Sequence, residues 1–270
     1  MMAQPLVQLD NVRKRFATGV TAVDGVSLNL AEGEFVSLLG PSGCGKSTIL
    51  RMIAGLSEPT SGTVRRCWED EPTPGAPIGC VFQDPTLLPW ATVWDNTYLP
   101  LRIAGLKRVA ARPRIDDALR LVRLADFAGA YPRQLSGGMR MRASIARALV
   151  TDPRVLLLDE PLAALDEISR QQLNDELLAL WRARRWTALF ITHSVFEAVY
   201  LSTRVVVMSS RPGRLIANIP IDFPAERTSA IRTSSRYLDL CRHVSSELDR
   251  AMTQSHGATT APIPVGRALP

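Results

Sequence analysis

The chain has 270 residues, of which 46% are hydrophobic, 21% charged and 6% aromatic, and its formal net charge is +6. This length fits one domain or a core domain with an appendage, and the composition excludes a disordered acidic chain and a collagen-like chain. No apolar run approaches the roughly 18 residues of a membrane-spanning helix, and the first ten residues lack the pattern of a signal peptide, so we expect a soluble cytoplasmic protein with anionic partners.

Apolar runs alternate with segments of helical period, which predicts an α/β fold with an open, mainly parallel sheet. Residues 7–16 and 21–30 alternate less cleanly and predict an antiparallel edge region. Five nearly continuous apolar runs predict strands with helices on both faces, over residues 35–39, 78–82, 155–158, 189–192 and 205–208.

The strand pattern is interrupted between residues 84 and 150, where helical period predicts an inserted helical subdomain. After residue 206 the pattern predicts a strand, a turn at residues 211–213, a second strand and a helix over residues 229–252. We therefore divide the chain into a core domain over residues 1–225, a C-terminal helical extension over 226–253 and a disordered tail over 254–270.

A glycine-rich segment after the first predicted parallel strand matches the pattern GxxxxGK[ST]. Its glycines allow backbone N–H groups to point at phosphate oxygens, and the following helix N-terminus adds positive potential. In such a loop Lys46 would reach the β- and γ-phosphates and the Ser47 hydroxyl would bind Mg²⁺. The predicted nucleotide-binding residues of this segment are Gly40, Pro41, Ser42, Gly43, Cys44, Gly45, Lys46, Ser47 and Thr48.

Two carboxylates follow the apolar run at residues 155–158. Asp159 and Glu160 are thereby placed at the C-terminal end of a buried strand, the edge where open α/β sheets bind ligands. Asp159 could hold Mg²⁺ or its water there, and Glu160 could accept a proton from an attacking water. The alternative is a strand that ends in a solvated acidic turn.

A second anion site is predicted where Leu135, Ser136, Gly137, Gly138 and Met139 precede a helical run. Ser136 suits an N-cap, and two glycines at the helix entrance leave backbone N–H groups open to an anion. One nucleotide within one chain cannot occupy both anion sites, so a site completed across a dimer interface is the economical explanation. A plain capped turn is the alternative.

The three motifs resemble those of ABC transporter ATPases. Residues 40–48 resemble the Walker A loop, residues 135–139 the signature, and residues 155–160 the Walker B strand, and they occur in the family's order along the chain. The resemblance runs from about residue 7 to 215. It adds four residues, each in the role of its family counterpart: Phe16 as the adenine-stacking aromatic, Gln83 of the Q-loop, Asp166 of the D-loop and His193 as the switch histidine.

The resemblance implies a P-loop NTPase fold and ATP hydrolysis. Glu160, His193 and Lys46 would be the catalytic residues, and Ser47, Gln83 and Asp159 would hold Mg²⁺. The family would further imply a homodimer at the cytoplasmic face of the inner membrane, with separate permease subunits docking near residues 83–94 and a solute-binding protein acting indirectly. For the apolar residues from Leu87 to Trp94, a permease contact and a helix core both remain open.

The sequence of residues 82–90, 135–140 and 197–213 resembles the importer ATPases for nitrate, sulfonates and taurine, although relatives for other small organic solutes share much of it. Two departures from the family pattern stand out. Ser194 replaces the usual aspartate, and Met139 with Met141 replaces the glutamines of many ABC proteins.

Two other classes fit less well. Soluble ABC ATPases that act on nucleic acid or ribosomes typically carry a coiled-coil insertion or two fused ATPase halves, whereas this chain has one phosphate loop and a short helical insertion, so we expect no nucleic-acid partner. A G-protein switch would need an NKxD motif, which none of the three lysines, Lys14, Lys46 and Lys107, can supply.

Overall fold

A computed structural model describes residues 5–69, 77–223 and 227–253. Its strands are β1 (Pro5–Arg15), β2 (Thr21–Ala31), β3 (Phe35–Leu39), β4 (Ser61–Arg66), β5 (Ile78–Val81), β6 (Val155–Asp159), β7 (Thr187–Thr192), β8 (Arg204–Met208) and β9 (Leu215–Pro220). Its α-helices are α1 (Lys46–Ile53), α2 (Val93–Ile103), α3 (Arg108–Leu121), α4 (Gly137–Leu149), α5 (Glu167–Arg184), α6 (Val195–Leu201) and α7 (Ser235–Thr253). Within these segments, no helix has the length and apolar content needed to cross a bilayer.

The six-stranded sheet has the order β5-β6-β7-β3-β8-β9, and its first five strands are parallel. These are the five strands that the apolar runs predict, with ends that differ from the predicted ones by a residue or two. The sixth strand, β9, pairs with β8 in the antiparallel direction. The prediction of a mainly parallel sheet is therefore confirmed.

The antiparallel strands form a second sheet with the order β2-β1-β4. The predicted antiparallel region is thus a three-stranded sheet of its own, and its third strand was not predicted from the sequence. The reason lies in the exposure of β4, in which no residue is buried and Val64 is the one apolar side chain. A strand without a buried face gives no alternating pattern to detect.

Each face of the six-stranded sheet supports its own hydrophobic core. Along β3, Phe35 and Leu39 belong to the core shared with α2 to α7, whereas Val36 and Leu38 belong to the core shared with α1, β1 and β2. Successive side chains of a strand point to opposite faces, so burial on both faces makes the whole strand apolar. This explains the continuous hydrophobic runs in the sequence.

The segment over residues 84–150 contains α2, α3 and α4 and, as the structure describes it, no strand. Its apolar cluster is partly buried in the core and partly exposed. Val93 is completely buried in the core, and Leu87 and Trp94 pack against it, whereas Trp90 is 74% exposed. The domain boundaries themselves remain predictions.

The predicted helix over residues 229–252 is divided in the structure. A short 3₁₀ turn over Ser229–Thr233 comes first, and α7 follows. The break is at Ser234, whose hydroxyl accepts a hydrogen bond from Tyr237 N at 3.3 Å, because a serine side chain satisfies the free N–H groups of a helix start. The boundary at residue 225 and the predicted tail over 254–270 lie outside the described residues.

An aromatic cluster on β3 provides a test of the larger core. The Phe35 ring lies edge-on to Trp181 with centroids 5.8 Å apart and is 5.9 Å from Phe190. Phe35→Ala should lower the free energy of unfolding in urea by about 3–5 kcal/mol, because it leaves a cavity among these rings. Phe127→Ala removes the same ring from an exposed position and should cost less than about 1 kcal/mol. Equal losses in the two variants would contradict this assignment of the core.

Candidate active site

The phosphate loop occupies residues 40–45 between β3 and α1. Gly43 and Gly45 have positive φ angles of 73° and 107°. A Cβ atom on Gly45 would lie 2.7 Å from Ala22 O, so the packing of β2 against the loop requires glycine there. The motif therefore adopts the tight turn that its glycines predict.

Lys46 is the first residue of α1, and its side chain folds back over the loop. The residue is 4% exposed, and Nζ donates hydrogen bonds to Gly40 O at 2.8 Å and Pro41 O at 2.9 Å. A buried ammonium group is stable only when such acceptors replace its water. The structure thus holds a positive charge at the loop, where phosphate oxygens would bind.

Ser47 and Asp159 bring the loop and β6 together. The Ser47 hydroxyl donates a hydrogen bond to Asp159 Oδ1 at 3.0 Å. Burial raises the pKa of the Asp159 carboxyl above its usual value, and the nearby Glu160 charge adds to this effect, whereas the Ser47 hydrogen bond opposes it. A cation at this position would offset the cost of keeping the carboxylate charged.

The same pair fits a magnesium ion chemically. Mg²⁺ prefers hard oxygen ligands and is usually held by one or two carboxylates together with substrate phosphates and water. Ser47 Oγ and Asp159 Oδ1 are such ligands, and among the described residues no group of three or more His, Cys, Asp or Glu side chains could hold a metal alone. Mg²⁺ at this site would therefore depend on nucleotide and water oxygens.

Glu160 and His193 lie at the ends of two adjacent strands. The strands β6 and β7 are parallel, with Asp159 opposite Ile191, so the residues that follow them meet at one edge of the sheet. Glu160 Oε2 is 2.6 Å from His193 Nε2, and Glu160 N donates to Ile191 O at 3.0 Å. Glu160 also has a φ of 50°, in the left-handed region that non-glycine residues seldom adopt.

Ser194, the departure from the family pattern, has a clear local role. Its hydroxyl accepts a hydrogen bond from Glu197 N at 3.3 Å and thereby caps α6. Serine and aspartate are both favoured at helix N-caps, so the substitution preserves this interaction. Glu197 is held in turn by Thr192, whose hydroxyl donates to Glu197 Oε2 at 2.5 Å.

A cavity of about 360 Å³ lies in front of the phosphate loop. Phe16, whose exposed fraction is 44%, forms part of its wall, as expected for a ring that stacks on a base. The cavity is lined by predicted residues, namely Phe16, Gly43, Gly45, Lys46, Ser47, Thr48 and Glu160, and by residues that sequence reasoning missed, namely Thr18, Val20, Ala22 and Arg211.

The remaining predicted residues of the loop surround this cavity without lining it. Gly40 and Pro41 supply the acceptors of Lys46, and Ser42 is exposed. Cys44 is buried, and burial raises the pKa of its thiol, which disfavours the thiolate form.

The signature and D-loop residues form a second group. Ser136 Oγ accepts from Met139 N at 3.3 Å and caps α4, and Asp166 Oδ1 accepts from Ser169 N at 2.9 Å and caps α5. The hydrogen bonds from Ser169 hold the pKa of Asp166 below its usual value. Gly137 and Gly138 lie beside Leu165 and Ser169, so the two helix starts are neighbours. Neither start lines the cavity at the phosphate loop.

Gln83 is exposed two residues beyond β5. Because β5 and β6 are parallel, with Val81 opposite Leu158, Gln83 lies at the same edge of the sheet as Asp159. It does not line the cavity in front of the phosphate loop.

Comparisons with known proteins address the family of the chain. A family model described as ABC transporter matches residues 23–163, about half of the chain. The taurine import ATP-binding protein TauB of Rhizobium johnstonii is 48% identical over 209 residues, which cover 77% of this chain and 80% of that protein.

Two solved structures share the fold. The dimeric ATP-binding cassette MJ0796, in a post-hydrolysis state bound to ADP and Pi, is 32% identical with a TM-score of 0.69, and the match covers 81% of this chain and all of that one. The protein cbiO1 from Clostridium perfringens, part of the ABC transporter complex cbiONQ, is 25% identical with a TM-score of 0.73, and the match covers 93% of this chain and 99% of that one. The chain therefore belongs to the ABC transporter family, as one of its ATP-binding and ATP-hydrolysing subunits.

Proposed function

We propose that two copies of this chain form the ATPase of an importer for a small anionic or zwitterionic solute of the nitrate, sulfonate or taurine type. The observation that supports a dimer is the separation of the predicted site residues into two groups. The phosphate loop and Glu160 line one cavity and His193 contacts Glu160, whereas Ser136, Gly138 and Asp166 form the second group away from it. A second copy would bring its signature helix to the phosphate loop, and one ATP would be bound by both chains.

In this dimer each side chain has a definite chemical task. Lys46 carries the positive charge that faces the β- and γ-phosphates, and Phe16 stacks on the adenine ring. Glu160 accepts the proton of the attacking water, and His193, hydrogen-bonded to it at 2.6 Å, orients the carboxylate and offsets charge at the γ-phosphate. Ser47, Asp159 and Gln83 would hold Mg²⁺, which supplies charge neutralisation at the phosphates.

The helical insertion provides the surface for the permease. Trp90, in the segment that follows Gln83, is exposed, and a cavity of about 590 Å³ on the insertion is lined by residues from α2 and α3, including Trp94, Arg108 and Val109. The Arg108 guanidinium lies 4.2 Å from the Trp94 ring centroid and is paired with Asp95 at 2.7 Å, so the cavity wall combines an aromatic face with an ion pair. In our proposal the chain binds integral membrane subunits here, at the cytoplasmic face of the inner membrane. The solute-binding protein acts on the opposite side.

The solute class rests on sequence similarity to TauB of Rhizobium johnstonii. Deletion of the gene should stop growth on taurine or another alkanesulfonate as sole sulfur source, or on nitrate as sole nitrogen source. A plasmid copy of the wild-type gene should restore growth and a Glu160→Gln copy should not. Growth on sulfate and ammonium is the control. Normal growth of the deletion strain on all three solutes would contradict this class and favour a different small organic solute.

The Glu160→Gln variant tests whether Glu160 is the general base for the attacking water. The variant should bind ATP as tightly as wild type and hydrolyse it at least about a hundredfold more slowly, because the amide cannot accept the proton. ATP should then trap the closed dimer, which size-exclusion chromatography would detect as a doubling of mass. Wild-type turnover in this variant would remove Glu160 from the role of base.

Mixed dimers test the composite site. Gly138→Asp places a carboxylate where the γ-phosphate of the opposing chain should lie, and Lys46→Ala removes the charge at the phosphate loop, so each homodimer should be inactive. In a mixed dimer both lesions fall on one composite site and the other site is wild type at both positions. Mixing the two variants should therefore restore part of the ATPase activity.

Two controls make the mixing experiment decisive. Subunit exchange is measured with differently tagged variants, and a double variant carrying both substitutions is paired with wild type. In the proposed geometry each site of that dimer carries one lesion and should be inactive, whereas sites formed within single chains would leave one site intact. If exchange occurs and this control dimer is active, an inactive Gly138→Asp and Lys46→Ala mixture would rule out the proposed geometry.

A further inference from the structure

The turn between β8 and β9 is rigidly built. Ser209 N donates to Arg214 O at 2.9 Å, and the Ser209 hydroxyl donates to Pro212 O at 3.1 Å and accepts from Arg214 N at 3.0 Å. A serine hydroxyl held on both sides in this way fixes the backbone between residues 209 and 214. The conformation of Arg211 is therefore set by the turn.

This turn packs directly against the phosphate loop. Gly213 N donates to Ala22 O at 2.9 Å, and Asp24 N donates to Gly213 O at 3.0 Å, so the turn pairs with β2. A Cβ atom on Gly213 would lie 2.0 Å from Cys44 O, so only glycine allows this approach. The turn and the loop thus form one packed unit.

The Arg211 guanidinium lies over the loop. Its Nε and Nη2 atoms donate to Gly43 O at 3.3 and 3.1 Å, and the side chain lines the cavity together with Phe16 and Lys46. Among the described residues, Gly43 O is the one acceptor that it contacts, so most of its five N–H groups remain available at the cavity wall. Lys46, by contrast, donates to two carbonyls of the loop.

We propose that Arg211 is a nucleotide-binding residue that contacts the phosphate chain of the nucleotide from the turn between β8 and β9. The inference rests on the nucleotide site proposed above and adds a second cation to it. A planar guanidinium with several free donors suits phosphate oxygens better than any other side chain. Its hydrogen bonds to Gly43 hold it at the loop, so a bound phosphate chain would lie between it and Lys46.

Titration calorimetry with MgADP tests the proposal in the full-length protein. ADP has no γ-phosphate, so hydrolysis does not interfere with the measurement. Arg211→Gln should weaken MgADP binding by about tenfold or more, because a charge-assisted contact is lost. Adenosine, which lacks phosphates, should bind the variant and the wild type equally. Arg211→Lys keeps the charge and should lose less affinity than Arg211→Gln.

Salt dependence separates contact with the phosphates from simple support of the loop. Salt screens exposed charges, so the affinity of wild type and Arg211→Lys for MgADP should fall as KCl rises from 50 to 500 mM, and that of Arg211→Gln should fall less. Glutamine could still donate a hydrogen bond to Gly43 O, so a purely supporting role would leave its affinity close to wild type. Arg214→Gln is the matched control, because it removes the same charge from the same turn at a residue paired with Asp24.

An Arg211→Gln variant with wild-type affinity and an unchanged salt dependence would overturn the proposal. Equal losses in Arg211→Gln and Arg214→Gln would also overturn it, because they would indicate a general effect of charge. Failure of the wild-type protein to bind MgADP would instead contradict the nucleotide site itself, so the two failures are distinguishable.

Discussion

The parallel register of the central strands is the constraint on which the site depends. Leu39 of β3 lies opposite Thr192 of β7 and Val207 of β8, and Asp159 of β6 lies opposite Ile191 of β7. Since all these strands run in one direction, the segments that follow them emerge at the same edge of the sheet. Residues separated by more than a hundred positions in the sequence are brought together there without any contact that is specific to catalysis.

That edge concentrates groups that are costly to bury. The Lys46 ammonium is almost completely enclosed, and burial raises the pKa of the Asp159 carboxyl beside Glu160. Glu160 also adopts a positive φ. Each of these features opposes stability, and the large hydrophobic cores on both faces of the sheet offset them. A bound nucleotide with its cation would supply the opposite charges, so binding would stabilise the arrangement that the fold imposes.

The sequence predicted the parts of the site that lie in continuous motifs. The phosphate loop, Asp159 and Glu160 each follow a buried apolar strand, so their position at the sheet edge could be read from the residues before them. The exposed strand β4 gave no pattern because none of its residues is buried. The sequence predicted that Arg211 lies in a turn but not that it contacts Gly43. That contact depends on β8 lying next to β3, which is a property of strand order.

The helical insertion links the surface proposed for the permease to the signature. Arg147 of α4 donates to Pro85 O at 2.8 Å and to Thr86 O at 2.9 Å, and the buried Asn96 of α2 donates to Leu88 O at 3.2 Å and to Ala91 O at 3.1 Å. The backbone from residue 85 to residue 91 is thus fixed to the helix that begins at the signature.

Because these hydrogen bonds join α2, α4 and the segment after Gln83, a displacement at the exposed Trp90 would be transmitted to Ser136 through a packed unit. The phosphate loop is packed instead against β2 and the turn of Arg211. A permease bound to the insertion would therefore act first on the signature half of the site. In the proposed dimer, this is the movement that would open and close the interface around ATP.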